Sequence, residues 1–592
     1  MDIYAWTIAI SIVIYVAIGN YAGRGVKRMD DYYVAGRQAP TLVIVGTLVA
    51  SLMSSTIFLG EVGFAYEGQA GPYVLFPQTA CAGYVIGAIL FGRYLRRSET
   101  STVAEFFGQR FNSKRVQALA GYTIIFALGG YLLAVTQGAA ILLSQITDLG
   151  YTQALIVAWL SYTLFTLYSG SRGVILTDTL MFLVFAFASF FAVVYLVDSF
   201  GGVSNIVTDL VALEEKPGLM SWHGVIGENT YWPTAMDYLI WAMIIDISWL
   251  MVYAVSPWQS SRHMMAKNEH VVLRAAIIAC VVVALLQVLV YSLGGIINVA
   301  NPNIEPVESA TIWASLNLLP GVLGALMLAG ITAAALSSAS TFLSLVGFSA
   351  SNDIGIRHAT DDKGGIRFTR IIMLIVGVVA LGAALGFPPD IFWLMIFIGT
   401  IFASSWGPVA IMSIWSNRIT EAAAFWGMAA GLAFNIVPKA IEFFGFISLP
   451  SYMEPALLGA VASLVTAIVV SRNTQVSEEE ASYLAKLHVT PESERDAHKT
   501  RWTLWAPVLL IANGIVMPFL IVHLYIRPFQ AASGMLDADG SINWLTGEVA
   551  LASGWFLLYV SLGVFAIRVI KHGYGADNEE RPASTVADTQ PG

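Results

Sequence analysis

The chain alternates between long apolar runs and short polar stretches. Fifteen apolar runs are long enough to cross a bilayer as helices, because a span needs about 20 mostly apolar residues. They lie at approximately residues 3–21, 41–67, 72–92, 116–147, 152–168, 174–198, 238–257, 271–297, 321–350, 369–387, 389–414, 421–438, 455–471, 503–525 and 548–567. The pattern predicts an all-α polytopic membrane protein with about 15 transmembrane helices.

The basic residues predict the orientation of these spans. With the N-terminus outside, fifteen spans place the C-terminus in the cytoplasm. All but three of the 30 Lys and Arg residues then fall in inner loops, the exceptions being Lys216, Lys439 and Arg527. Because positive residues concentrate on the cytoplasmic side, we expect a multi-pass protein of the plasma membrane, here a bacterial inner membrane.

Composition excludes several functional classes. The chain is 57% hydrophobic and 12% charged, with net charge -9 and mean hydropathy +0.70, whereas soluble domains are about 25% charged. Its two cysteines lie in apolar runs and form neither a disulfide framework nor a metal-ligand spacing. No P-loop, HExxH motif or nucleophile elbow is present. We therefore expect a membrane protein that is neither an enzyme nor a nucleic-acid-binding protein.

One apolar run, at residues 329–353, is rich in hydroxyl side chains. Ala334, Ser337, Ser338 and Thr341 are three, four and seven residues apart, so a helix places them on one face. Their neutral oxygens suit a hard cation such as sodium. Close packing of membrane helices also selects small and hydroxyl residues, so the stripe alone leaves both interpretations open.

Two spans carry signs of a broken helix. Run 41–67 is small and polar at residues 50–56, and run 238–257 holds Asp246 mid-span and ends at Pro257. An unwound segment survives in a bilayer only beside a cavity or an ion. Each broken span begins a group of five, and five is odd, so the groups have opposite orientations. This layout predicts an inverted repeat of 5+5 helices with discontinuous first helices.

The resulting organisation has one extra N-terminal helix and about four extra C-terminal helices. The predicted divisions are an N-terminal helix and inner loop (1–40), the first repeat (41–199), an outer loop (200–236), the second repeat (237–415), accessory helices with an inner loop at 472–502 (416–571), and a disordered cytoplasmic tail (572–592). The outer loop is expected to contain short surface helices, and the loop at 472–502 is partly helical in pattern.

Three acids lie within apolar runs, where a charge is costly and often functional. Asp178 follows Arg172 by six residues, so it is an interfacial acid, or forms an ion pair with Arg172, or is part of a cation site. Glu61 is either solvated or lines an outer vestibule, with a gating role. Asp246 is mid-span, where a functional or gating role is expected.

Five stretches resemble the sodium:solute symporter family, which includes sodium/glucose, sodium/proline, pantothenate and sialic acid transporters. They are, in order, DDYYVAGRQAP, ASLMSSTIFLG, SGSRGVILTDTLMF, SPWQSSRHMMAKNEHVVLRA and AALSSASTFLSLVGFSASNDI. The resemblance covers about residues 31–415 and implies a leucine-transporter-like inverted repeat with sodium as the coupling ion. The fifteen spans predicted for this chain differ from the fourteen helices of some family members.

The resemblance also implies site residues. The first sodium site would use the carbonyl groups of Ala50, Met53 and Ala334 and the hydroxyls of Ser337 and Ser338. A second sodium, present in some members, would use Asp178, Ser337, Ser340 and Thr341. Arg37 matches a basic residue that proline transporters need for coupling, but Leu52 stands where those transporters have an acid.

We therefore expect a sodium-coupled symporter that imports a small organic solute by alternating access. The solute would bind near the midplane, among Ser54, Ser55, Thr56, Gln137, Asp246 and Trp249. A sensor that binds solute without transport, and a passive channel, are the alternatives; the tail contains no kinase-like region, and the broken helices argue against a channel. A carboxylate, an amino acid and a vitamin-like acid all remain open, while Glu61 and Asp246 would suit an amine.

Overall fold

The computed structural model describes residues 3–354, 362–387 and 389–575. Within these residues every regular element is helical, apart from one isolated bridge between Ala39 and Ala266. The predicted all-α class is confirmed. Residues 576–592 of the predicted tail, together with Arg357 and Arg581 of the predicted inner segments, lie outside the described residues.

The helices fall into two halves along the chain. The first half contains Ile3–Gly23, Met29–Val34, Thr41–Leu52, Thr56–Glu61, Val62–Phe64, Ala65–Gln69, Ala70–Leu75, Pro77–Ala80, Ala82–Gly87, Ala88–Gly92, Arg93–Ser98, Val103–Arg110, Lys114–Ile146, Tyr151–Ser199 and Val203–Val211. The second half contains Ala235–Val255, Pro257–Met265, Glu269–Ala300, Ala310–Asn317, Gly321–Asn352, Asp362–Gly386, Ile391–Ser405, Gly407–Trp415, Glu421–Phe443, Pro455–Asn473, Glu478–His488, Ala497–Thr503, Trp505–Ile521, Val522–Ile526, Arg527–Ala532 and Gly547–Tyr574.

In the described part of the chain, twelve helices are long and apolar enough to cross a membrane, or thirteen with the bent pair Thr41–Leu52 and Thr56–Leu75. The predicted count of fifteen differs at two places. Tyr151–Ser199 contains two predicted spans, divided at Gly170 by a non-helical backbone (φ 54°, ψ −151°). Unbroken, its 49 residues would measure about 74 Å, far more than a bilayer core of about 30 Å. The predicted run 72–92 consists instead of several short helical segments.

Both predicted discontinuous helices are present. The first broken helix comprises Thr41–Leu52 and Thr56–Leu75, which meet at a 49° bend. Met53 ends its inner half with a non-helical backbone (φ −69°, ψ 84°), and the outer half begins as a π-helix. The second broken helix comprises Ala235–Val255 and Pro257–Met265, separated at Ser256 (ψ 147°). Pro257 suits this restart, since the first helical residue needs no N–H partner.

The serine-rich helix, Gly321–Asn352, runs through the centre of the molecule. Of its most apolar 18-residue stretch, 83% is buried. Its small residues permit this: a Cβ on Gly330 would lie 3.1 Å from the Cα of Phe185. The start of the first broken helix meets the end of the second, because Ala39 donates its N–H to Met265 O at 3.1 Å and accepts from Lys267 N at 3.0 Å. Helices Thr41–Leu52, Pro257–Met265 and Gly321–Asn352 all pack against one another.

The two long loops are ordered against the helices. Val203–Val211 is the short helix predicted in the outer loop. The inner loop folds into Glu478–His488 and Ala497–Thr503 and docks on the helical body through Arg97 Nη1, 2.5 Å from Leu487 O, and Arg110 Nη1, 3.2 Å from Glu480 O. The last helix extends to Tyr574, so its final residues take the place of the start of the predicted tail.

Candidate functional site

The break in the first broken helix faces a hydroxyl of the serine-rich helix. Where a helix ends, its last carbonyls lose the N–H donors of the next turn and need other partners. Ser338 Oγ lies 3.5 Å from Ala50 O and 3.4 Å from Ser51 O. Met53, Ala334 and Ser338 are fully buried. The structure thus brings the break and the stripe together, and Ser51 joins the residues that the sequence indicated.

Asp178 is fully buried and lies on the second part of Tyr151–Ser199. Its Oδ1 accepts a hydrogen bond from Ser337 Oγ at 2.7 Å, and its Oδ2 accepts one from Thr47 Oγ1 at 2.5 Å. Of the two interpretations of Asp178, pairing with Arg172 is wrong, since Arg172 instead donates to Gly25 O at 3.0 Å. Thr47 was missed, because an isolated threonine in an apolar run carries no distinguishing pattern.

Arg262 is the largest departure from the sequence-based picture. Its predicted inner-loop position is wrong: it lies on the inner half of the second broken helix, with a side chain that is 2% exposed. Its Nη2 donates to Thr341 Oγ1 at 2.5 Å and lies 3.5 Å from Asp178 Oδ2. Guanidinium and carboxylate thus lie buried together, because Pro257–Met265 packs against the serine-rich helix.

The remaining hydroxyls of the stripe have local partners. Ser340 Oγ donates to Ser337 O at 2.8 Å, and Ser344 Oγ donates to Ser340 O at 2.8 Å. Such bonds to a preceding turn satisfy a buried hydroxyl without a ligand. Of the predicted second set, Ser337, Thr341 and Asp178 therefore meet through side-chain contacts, while Ser340 contacts its own helix.

A second feature is a small cavity of about 50 Å³ between the two broken helices. Glu61, Asp246 and Trp249 line it, together with Tyr73, Pro77, Ala80, Ile245, Tyr253, Gln287, Tyr291 and Ile396. Glu61 accepts a hydrogen bond from the phenol of Tyr291. Three residues that the sequence assigned to solute binding or gating therefore meet in one place.

The other predicted solute residues are not among those that line this cavity. Ser54 and Thr56 bond each other at 2.5 Å between their hydroxyl oxygens, and Ser55 Oγ donates to Val135 O at 3.2 Å. Gln137 Nε2 donates to Phe387 O at 2.9 Å. Ser55 thus joins the first broken helix to Lys114–Ile146, and Gln137 joins Lys114–Ile146 to the end of Asp362–Gly386.

Arg37 lies just before the first broken helix. Its Nη2 donates to the carbonyl oxygens of Glu99 at 2.7 Å and Thr100 at 3.0 Å. Partial burial lowers the pKa of Arg37. It therefore links the loop before the first broken helix to the loop after Arg93–Ser98, away from the cavity.

Comparisons with known proteins agree with this architecture. Residues 32–431 match the model of the sodium:solute symporter family. The sodium/pantothenate symporter of Haemophilus influenzae is 25% identical over 456 residues, covering 74% of this chain and 90% of the relative. The sodium/proline symporter of Escherichia coli is 23% identical over 470 residues, covering 76% and 90%.

Solved structures show the same fold. The substrate-bound outward-open Na+-coupled sialic acid symporter matches with a TM-score of 0.68 and 17% identity, covering 81% of this chain and 99% of that one. Mhp1, a nucleobase-cation-symport-1 family transporter, matches with a TM-score of 0.50 and 14% identity, covering 77% and 98%. The architecture is thus the leucine-transporter-like inverted repeat. The chain belongs to the sodium:solute symporter family, and sodium is its coupling ion.

Proposed function

We propose that the protein imports a small organic solute together with sodium by alternating access. The contact of Ser338 with the carbonyl groups at the helix break carries this proposal. This contact joins the first broken helix to the serine-rich helix, and separation of these two helices would open the ion site. The bend in the first broken helix supplies carbonyl oxygens that a continuous helix would use internally.

The proposed sodium ligands are the carbonyl oxygens of Ala50, Met53 and Ala334 and the hydroxyls of Ser337 and Ser338. Several neutral oxygens suit a hard monovalent cation better than a soft metal. Burial of all five residues excludes water from such a site. Sodium bound there would hold the first broken helix against the serine-rich helix.

Coupling then follows from linkage between the two ligands. Sodium stabilises the arrangement in which the solute pocket is formed, and solute must strengthen sodium binding by the same factor. The membrane potential adds about 2.3 kcal/mol per charge for each 100 mV. Inward movement of sodium therefore drives uptake of solute against its gradient.

The proposed solute pocket is the cavity lined by Glu61, Asp246 and Trp249. It lies between the outer half of the first broken helix and the second broken helix, where inverted-repeat transporters bind their cargo. Ser54, Ser55, Thr56 and Gln137 stay candidates for contacts made in another conformation. Arg37 stays a candidate for coupling, because its contacts tie together two cytoplasmic loops.

The proposed orientation has the N-terminus outside and the C-terminus in the cytoplasm of a bacterial cell. The distribution of Lys and Arg residues supports it. The second set of predicted ligands, Asp178, Ser337, Ser340 and Thr341, is the proposed place for a further cation. Arg262 already brings a positive charge to this place, since its guanidinium contacts Thr341.

Proteoliposomes with a defined sodium gradient test the proposal. A panel of radiolabelled amines, amino acids and carboxylates should yield a solute that accumulates only with external sodium, and more strongly with an inside-negative potential. Accumulation that persists when potassium replaces sodium would contradict symport. Solute-dependent thermal stabilisation without uptake would identify a sensor instead.

A further inference from the structure

The lining of the cavity between the broken helices is acidic. Two of its lining residues, Glu61 and Asp246, are acids, and no Lys, Arg or His is among the residues that line it. Asp246 accepts no hydrogen bond from any described residue, whereas Glu61 has the phenol of Tyr291. An uncompensated carboxylate at this depth is costly. The geometry therefore calls for a cation between the two helices.

The walls of the cavity are aromatic. Tyr73 and Tyr291 pack with ring centroids 5.1 Å apart, and Trp249 and Tyr253 with centroids 5.7 Å apart, both pairs edge to face. Aromatic rings attract organic cations, an effect that strengthens when water is excluded. A small alkylammonium group therefore suits such walls.

Trp249 brings a buried donor without a partner to the lining of the cavity. Gln287 is occupied, since its Nε2 donates to the hydroxyls of Tyr253 and Tyr291 and its Oε1 accepts from Cys81 Sγ at 3.0 Å. Trp249 is 7% exposed, and its indole N–H is buried with no partner among the described residues. A buried unpaired donor is costly, so a ligand with an acceptor close to its positive charge would satisfy it.

We propose that this cavity binds the ammonium group of the transported solute. The carboxylates of Glu61 and Asp246 neutralise the charge, the rings of Tyr73, Trp249, Tyr253 and Tyr291 surround the alkyl substituents, and the indole N–H of Trp249 binds a hydroxyl or carboxylate oxygen. This inference rests on the proposed function and specifies the class of its solute. The volume of about 50 Å³ admits a small headgroup and excludes a large one.

Isosteric probes test this inference on the purified full-length protein in nanodiscs. Methylammonium and its neutral counterpart methanol, ethanolamine and its neutral counterpart ethylene glycol, and acetate are each added in sodium or in potassium chloride. We expect sodium-dependent thermal stabilisation by an ammonium compound and none by its neutral partner or by acetate. Equal stabilisation by the neutral isostere, or no stabilisation by either ammonium compound, would overturn the inference.

Two variants complete the test. Asp246→Asn and Glu61→Gln should each weaken the apparent affinity for the ammonium probe by about tenfold or more, with the melting temperature in sodium alone retained. Asp209→Asn, an exposed acid of the outer-loop helix, is the matched control and should keep the affinity. Undiminished affinity in both pocket variants would overturn the inference. Sodium-dependent binding of acetate would also overturn the inference, but would leave symport standing. Uptake without sodium dependence would contradict symport itself.

Discussion

Ser338 Oγ lies 3.5 Å from the carbonyl oxygen of Ala50, across the interface between the serine-rich helix and the broken end of Thr41–Leu52. The two residues are 288 positions apart in the chain. Both are fully buried, and the next carbonyl, that of Ser51, is 3.4 Å from the same hydroxyl. One hydroxyl therefore meets two of the carbonyls that the helix break releases, at a point where the proposed sodium site requires oxygen ligands.

Substitution of this hydroxyl should weaken sodium binding specifically. We expect Ser338→Ala to raise the sodium concentration for half-maximal uptake by about tenfold or more, because a ligand is lost in a site without water to replace it. Sodium titrations of uptake in proteoliposomes provide the measurement. Ser344→Ala removes a buried hydroxyl of the same helix that bonds only Ser340 O, so it is the matched control. An equal effect of both substitutions would indicate a packing defect instead of a lost ligand.

The close approach of the second broken helix to its neighbour depends on Gly83. A Cβ at this position would overlap the carbonyl oxygen of Leu250, so Gly83→Ala must push the helices apart. Overpacking of this kind costs about 1–3 kcal/mol, and we expect a clear loss of thermal stability in detergent. Gly129→Ala is the control, because no atom lies within 4 Å of the position that its Cβ would take, and alanine favours a helix. A stable Gly83→Ala would show that this interface can relax.

A buried ion pair joins helices Arg93–Ser98 and Glu269–Ala300. Arg97 donates to both carboxylate oxygens of Glu269 at 2.8 and 2.6 Å, and the two side chains are 7% and 2% exposed. Arg97→Gln leaves the buried carboxylate without its partner, which costs about 3–5 kcal/mol. Chemical denaturation or thermal unfolding of the purified variant measures this loss.

Arg115→Gln is the control for that substitution, since it breaks the exposed pair of Arg115 with Glu421. The Arg115 side chain is 58% exposed, so solvent already screens its charge. We expect little change in stability. Equal losses in the two variants would contradict the assignment of the Arg97 pair as the structural one.

Glu454 should give the protein a pH-dependent stability. It lies directly before helix Pro455–Asn473, where burial raises its pKa to about 7, opposed by nearby Lys439. A carboxyl whose folded-state pKa exceeds its unfolded value of about 4.5 binds its proton more tightly when folded. Its contribution is therefore complete below about pH 4.5 and is lost as the pH rises through about 7.

Glu454→Gln should accordingly raise the melting temperature at pH 8 and leave it unchanged near pH 4.5. Thermal unfolding across this pH range, with the exposed Glu479→Gln as the control for charge, checks the expectation. A constant difference between Glu454→Gln and the wild type at all pH values would contradict it.

Much of the architecture could be predicted from local patterns. Apolar runs of spanning length and the concentration of basic residues between them required only the energetics of the bilayer. The helix breaks were visible as a polar stretch at residues 50–56 and as Pro257, because few sequences permit an unwound backbone within a bilayer. The stripe containing Ser337 and Ser338 was also visible, but on its own it was compatible with plain helix packing.

What the sequence by itself determined is therefore the helical class, the inverted repeat, the breaks and the family. The tertiary structure decided which side chains meet. Arg262 lies beside Asp178 instead of in the predicted loop. Gln137 does not share a site with Asp246, whereas Glu61 and Asp246 line one cavity. The physical reason is that hydropathy depends on each residue alone, on its preference for lipid or water. The partner of a buried charge depends instead on how helices that are distant in sequence cross. That crossing angle depends on packing along the whole length of both helices.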